Sequence, residues 1–185
     1  MKQSDTSSTS VGQGITVIAN ILWIGNPNPS NTTSAFSPTG TAFLSSAISN
    51  GGTGIAIDHL GNVWSLNHGP CSVAEFTSNS SPTESSYSSD DSSAGTSLAI
   101  DGLNQVWVTN ADGSISVFNS SGTPINPTTG YTEGLSSPAS IAVDISGNVW
   151  IANHGSSSVT KLLGAAAPTV PLATGVANIA PATKP

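Results

Sequence analysis

The chain holds few side chains able to do acid–base, metal or nucleophilic chemistry: three His, one Cys, seven Asp and three Glu, with three Lys and no Arg. Their spacing is more informative than their number. His68 and His154 lie 86 residues apart, and Asp112 falls in the matching stretch between them. His, Asp and His are ligand types for a divalent metal. The competing reading is that Asn-His-Gly is simply a hairpin turn, because equivalent loops of separate repeats stand too far apart to share one ion. Asn67 and Asn153 immediately precede the two His, Asn110 lies two residues before Asp112, and the three add neutral donors and acceptors. Together Asn67, His68, Asn110, Asp112, Asn153 and His154 make a candidate ligand-binding rim, suited to a polar, uncharged ligand. Asp58, Asp101 and Asp144 form a second regular set. Cys71 follows Pro70 with no base near it in sequence, no Gly-x-Ser-x-Gly elbow is present, and Glu75, Glu84 and Glu133 stand at unrelated positions. No catalytic residue is assigned, and no paired-carboxylate site is expected.

These spacings come from a repeat. Trp23, Trp64, Trp107 and Trp150 are separated by 41, 43 and 43 residues. Ile55-Ala56-Ile57-Asp58, Gly61-Asn62-Val63-Trp64 and Asn67 return as Leu98-Ala99-Ile100-Asp101, Asn104-Gln105-Val106-Trp107 and Asn110. They return again as Ile141-Ala142-Val143-Asp144, Gly147-Asn148-Val149-Trp150 and Asn153. A third segment follows each Trp: Ser72–Phe76, Ser114–Phe118 and Ser158–Leu162, apolar and polar in alternation. The unit around Trp23 is degenerate, with a shorter turn and no Asp.

The apolar tetrad reads as a buried strand, and the segment ending in Trp as its hairpin partner. The Asp between them can accept bonds from backbone N–H groups two or three residues on. Gly61, Asn104 and Gly147 occupy the position that needs positive φ. Each Trp reads as a packing residue between neighbouring units. Strands are expected near 55–58, 62–67, 72–77, 98–101, 105–110, 114–119, 140–144, 148–153 and 158–163, with no helix.

A period of 40 to 45 with about four short strands per unit is the signature of a β-propeller blade. The phrase I-A-I/V-D-x-x-G-N-V-W-x-x-N followed by S-V-x-x-F resembles the NHL-repeat propellers and the streptogramin (virginiamycin B) lyase-like propellers. The resemblance covers residues 14–165 and implies an all-β propeller of four blades of ~43 residues. Relatives with this repeat usually form more blades. The chain therefore reads either as a closed four-bladed ring or as an open arc, the C-terminal portion of a larger propeller. Lyases of this family tend to carry a Glu near the end of the second strand in catalytic blades, with His and a divalent metal. Here Asn stands in that place in every unit, and an amide cannot act as a general base. Residues 1–13 read as a polar N-terminal segment and 166–185 as a tail, which can belong to the last blade.

Composition narrows the function. Charged residues are 7% of the chain, net charge is −7, and Ser and Thr make up 53 of 185 residues. Without Arg, nucleic-acid and anionic-membrane binding are not expected. No apolar run approaches a membrane span, and the first residues lack the apolar stretch of a signal peptide. The Ser/Thr-rich, charge-poor style resembles exported bacterial proteins, extracellular or periplasmic. The favoured expectation is a non-catalytic binding or interaction module for a polar ligand or a protein, without cofactor. One alternative is a partial or decayed metal-dependent lyase- or lactonase-like enzyme. The other is a structural surface or coat protein. Open blade edges would allow self-association.

Overall fold

The computed structural model describes residues 14–18, 21–26, 32–46, 51–67, 72–77, 84–89, 93–125, 131–132 and 134–169. The segment 1–13, His68, Cys71, Glu133 and the tail from residue 170 lie outside the described residues. All regular structure among the described residues is strand, as the alternating pattern requires. Blade 1 comprises β1 (Gly14–Ile18), β2 (Ile21–Asn26), β3 (Thr32–Phe36) and β4 (Ala42–Ser46). Blade 2 comprises β5 (Gly51–Ile57), β6 (Val63–Asn67), β7 (Ser72–Phe76) and β8 (Glu84–Ser88). Blade 3 has β9 (Gly95–Ile100), β10 (Val106–Asn110) and β11 (Ile115–Phe118). Blade 4 has β12 (Pro138–Val143), β13 (Val149–Asn153) and β14 (Ser158–Leu162).

Within each blade the strands follow in order and pair antiparallel, so each blade is a meander of local hairpins. The register repeats: Trp64 faces Ala56 and Glu75, Trp107 faces Ala99 and Val117, and Trp150 faces Ala142 and Lys161. The first strands β1, β5, β9 and β12 lie beside one another in succession, as the inner strands of a propeller do. Extensive contacts join strands of one blade or of successive blades, and no closed ring forms among the described residues.

The core lies between blades. Trp23 packs with Ala35 against Val63, Ala74 and Phe76 of the next blade. Trp64, Leu66 and Val73 meet Leu98, Val106, Val108 and Phe118. Trp107, Ile115 and Val117 meet Ile141, Val149 and Ile151. Burying each ring contributes roughly 3 kcal/mol from area alone. Polar contacts cross the same interfaces: Thr33 and Ser65 share a buried hydroxyl bond of 2.8 Å, and Thr96 donates to the Pro138 carbonyl at 2.7 Å.

Beyond β14 the chain does not continue outward from blade 4. Residues 164–168 run back under blade 3. The Ala166 amide donates to the Gly147 carbonyl at 3.0 Å, and the Gly102 amide to the Ala167 carbonyl at 3.2 Å. Gly147 has a φ of 77°, and a Cβ there would run into the Ala166 carbonyl, so both turn and strap require glycine.

Candidate functional site

On one rim, the turns between first and second strands are built around the repeated Asp. Asp58 Oδ1 accepts from the Leu60 and Asn62 amides at 2.9 and 2.8 Å. Asp101 Oδ1 accepts from Leu103 and Gln105 at 2.9 and 3.0 Å, and Asp144 Oδ1 from Ser146 and Asn148 at 2.9 Å each. The donors are thus two and four residues on, because the following positive-φ residue lifts the fourth amide back toward the carboxylate. Those residues are Gly61, Asn104 and Gly147, with φ of 86°, 59° and 77°.

The second carboxylate oxygen does something the separate treatment of Asp and Trp missed. Asp58 Oδ2 accepts from Trp64 Nε1 at 3.1 Å, Asp101 Oδ2 from Trp107 Nε1 at 3.1 Å, and Asp144 Oδ2 from Trp150 Nε1 at 2.9 Å. The constant six-residue spacing from Asp to Trp was the available signal. One carboxylate closes the turn and fixes the indole that packs on the next blade. Asp101 also receives the Ala167 amide at 3.0 Å, which ties the strap to the same device. In blade 1, Ile18 stands opposite Ile21 in the place where Asp58 stands opposite Asn62. Among the described residues, the buried Trp23 Nε1 accordingly has no partner.

Glu75 joins the Asp58 turn through the Asn62 side chain. The Asn62 amide nitrogen bridges Asp58 Oδ2 at 3.1 Å and Glu75 Oε1 at 3.0 Å, and the Tyr87 hydroxyl donates to Glu75 Oε2 at 3.1 Å. Strand alternation brings Glu75 across from Trp64 and so beside Asp58. Burial raises the Glu75 pKa, the Tyr87 bond opposes the rise, and the Asp58 charge adds to it. Asp144 is shifted the other way. Bonds from Trp150, then from the Asn148 side chain and amide, hold it well below the usual carboxylate range.

The opposite rim carries the candidate ligand residues. Asn67, Asn110 and Asn153 close their second strands, but their side chains turn into the blade, with exposures of 4%, 0% and 3%. Asn67 donates to Ser72 Oγ at 2.9 Å, and Asn110 to Ser114 and Ser116 at 2.9 Å each. Asn153 donates to Thr160 at 2.8 Å and accepts from the Ser136 amide at 3.1 Å. Asn26 makes the same bonds to Thr32 and Ser34 in the degenerate unit. The amide therefore pins the second hairpin to its hydroxyl-bearing partner strand. This explains why Asn recurs in every unit and why Ser or Thr sits opposite it.

Asp112 and His154 are exposed on this rim, whereas His68 lies outside the described residues. Asp112 Oδ1 accepts from the amide and hydroxyl of Ser114 at 3.0 and 2.8 Å. The His154 amide donates to the Ser137 carbonyl at 3.1 Å. Among the described residues, no three His, Cys, Asp or Glu side chains converge on a metal position. His59 is exposed on the other rim, in the turn of Asp58.

No protein-family model and no curated protein sequence matches the chain. Solved structures do. A streptogramin B lyase is 15% identical, with a TM-score of 0.71 over 89% of this chain and 57% of its own. The β-propeller domain of a Myceliophteria thermophila protein is 9% identical, with a TM-score of 0.66 over 82% and 53%. A computationally designed protein is 18% identical, with a TM-score of 0.64 over 88% and 99%. The fold is a β-propeller. The chain is similar to the lyase in architecture, and it spans a little over half of the lyase's length.

Proposed function

We propose that the chain is a non-catalytic propeller module that binds a polar, uncharged ligand or a protein surface at the rim carrying Asp112 and His154. The observation that carries this reading is the repeated Asn. In every blade the end of the second strand holds an amide committed to its own hairpin, so the rim is built from neutral groups fixed in place rather than from bases free to move protons. Exposed hydroxyls and amides between the hairpins can donate to and accept from a glycan or a peptide backbone. An anionic ligand would meet a chain with net charge −7 and no Arg.

The test is titration of neutral and anionic oligosaccharides, read by amide chemical shifts. Neutral sugars should shift the signals of residues 111–113 and 154–157, and sulfated ones should not. The double variant Asp112→Asn, His154→Ala should weaken that binding while the melting temperature stays nearly unchanged. The His154 side chain is exposed, and Asn retains the oxygen that caps the Ser114 amide.

The similarity to a streptogramin B lyase favours a second reading, a metal-assisted lyase using Asp112 and His154. Incubation of the chain with a B-type streptogramin and Mg²⁺ separates the two. Turnover lost in the double variant would replace the binding reading with the enzymatic one.

A further inference from the structure

The Asp turns of neighbouring blades are tied to one another, and the tie differs between two interfaces. Between blades 2 and 3 it is made by side chains. The His59 amide donates to Oδ1 of Asn104, in the blade 3 turn, at 2.9 Å, and Asn62 Nδ2 donates to Asp58 Oδ2 at 3.1 Å. Between blades 3 and 4 the sequence departs from the repeat at the three matching positions. Gly102 stands in the place of His59, Gln105 in that of Asn62 and Gly147 in that of Asn104.

There a single residue of the strap fills both roles with its backbone. The Ala167 amide donates to Asp101 Oδ2 at 3.0 Å, as Asn62 does to Asp58. The Ala167 carbonyl accepts from the Gly102 amide at 3.2 Å, as Asn104 does from His59. The Ala166 amide adds its bond to the Gly147 carbonyl, and the Ala166 side chain is 7% exposed in the cluster of Trp107 and Val149. The two glycines form the floor of this notch. A Cβ on Gly102 would run into the Pro168 carbonyl, and one on Gly147 into the Ala166 carbonyl. Asp101 itself is fully buried and already fixed by the Leu103 and Gln105 amides and the Trp107 indole, so the acceptor is in place before a peptide arrives.

We propose that the notch between the Asp101 and Asp144 turns is a peptide-recognition site, filled by the chain's own residues 166–168 and taken in trans by a protein partner that presents an extended small-x-Pro segment. Three features of the strap define that partner. The first position admits a methyl-sized side chain. The second is read through both its N–H and its C=O, so its side chain is free to vary. The third is Pro, which needs no acceptor for its nitrogen beside Gly147 and keeps the residue before it extended.

Main-chain bonds supply the grip and one small pocket supplies the selection, the division of labour found when a peptide adds to a folded domain. Among the described residues, backbone bonds and one buried methyl hold residues 166–168, and the same segment offered in trans makes all of them. Gly164, where the strap leaves β14, has a φ of 59° and open space around its Cβ position, so no packing holds that end down. The notch lies on the rim opposite Asp112 and His154, and binding here is independent of binding there.

The experiment titrates the 185-residue chain with the acetylated and amidated peptide Gly-Ala-Ala-Ala-Pro-Thr, followed at the Gly102 amide and the Trp107 indole N–H. Ala166→Glu and Ala167→Pro each open the notch without altering its walls. The first adds bulk and charge, and the second removes the N–H that reaches Asp101. Both should bind the peptide saturably, and the same peptide N-methylated at the residue matching Ala167 should not bind. The wild type should bind roughly tenfold more weakly or worse, because the strap competes from within the chain at an effective concentration on the order of millimolar. Gly102→Ala, at a position without positive φ, should release the strap and also refuse the peptide. Far-ultraviolet circular dichroism like that of the wild type keeps misfolding apart from lost binding. Folded, opened variants that ignore the peptide, or take the N-methylated one equally well, would overturn the proposal. So would a wild type that binds as tightly as the variants, since the peptide would then sit elsewhere. Unfolding of both opened variants would make the strap a fixed part of the fold and overturn it too.

Discussion

A single carboxylate per blade serves two elements, so its loss should exceed the cost of one turn. In Asp101→Ala, the amides of Leu103, Gln105 and Ala167 and the indole of Trp107 all lose their acceptor in a site with 0% exposure for Asp101. Chemical denaturation should show a loss of about 3 kcal/mol, the scale of buried donors left unsatisfied around a former charge. Asp144 makes matching bonds with Trp150 in the open and gives a pH signature instead. Its folded pKa lies below the unfolded value, so its contribution is present above the ordinary carboxylate range and is lost as pH falls through the folded pKa. Asp144→Asn should flatten the acid limb of the stability curve. Glu75 has the opposite sign. Its raised pKa means the folded state holds the proton more tightly, so stability rises as pH falls from the raised value toward the ordinary Glu range. In thermal melts, Glu75→Gln should remove that rise and leave the protein at least as stable at neutral pH.

At the scale of elements, the sequence shows strands wherever one face is buried. The expected 62–67 and 148–153 are observed as Val63–Asn67 and Val149–Asn153, and 72–77 as Ser72–Phe76. The missing strands have physical causes. β8 reads Glu-Ser-Ser-Tyr-Ser because an outermost strand has no apolar face to declare, and Ser85, Ser86 and Ser88 are exposed. β5 begins at Gly51 rather than Ile55, since its first residues are glycines crossing a bulge. Gly25 sits so close to Gly52 that a Cβ would lie 2.8 Å from the Gly52 carbonyl oxygen, which is a packing signal no periodicity carries. The ends of the second strands were legible in position, but the orientation of their side chains was not. Strand ends place Asn67, Asn110 and Asn153 correctly, yet nothing in one sequence says that the amides point inward at Ser and Thr. The strap offers a test at this scale. Gly147→Ala forces a Cβ into the Ala166 carbonyl at positive φ, so it should lower the melting temperature and speed proteolysis after residue 163.

At the scale of the whole molecule, the arc behaves as a one-dimensional stack. Each blade's stability is its own hairpins plus what its neighbours cover. Among the described residues, blades 2 and 3 have two neighbours and blades 1 and 4 have one, so local opening should be cheapest in the outer two. Amide exchange should therefore show the slowest protons in β6 and β10 and faster ones in β2 and β13, although all four strands have comparable backbone pairing. Equal exchange in inner and outer blades would mean that the hairpins, not the faces between them, hold the blades together. The repeated Asp–Trp bond would then act within each blade rather than between them.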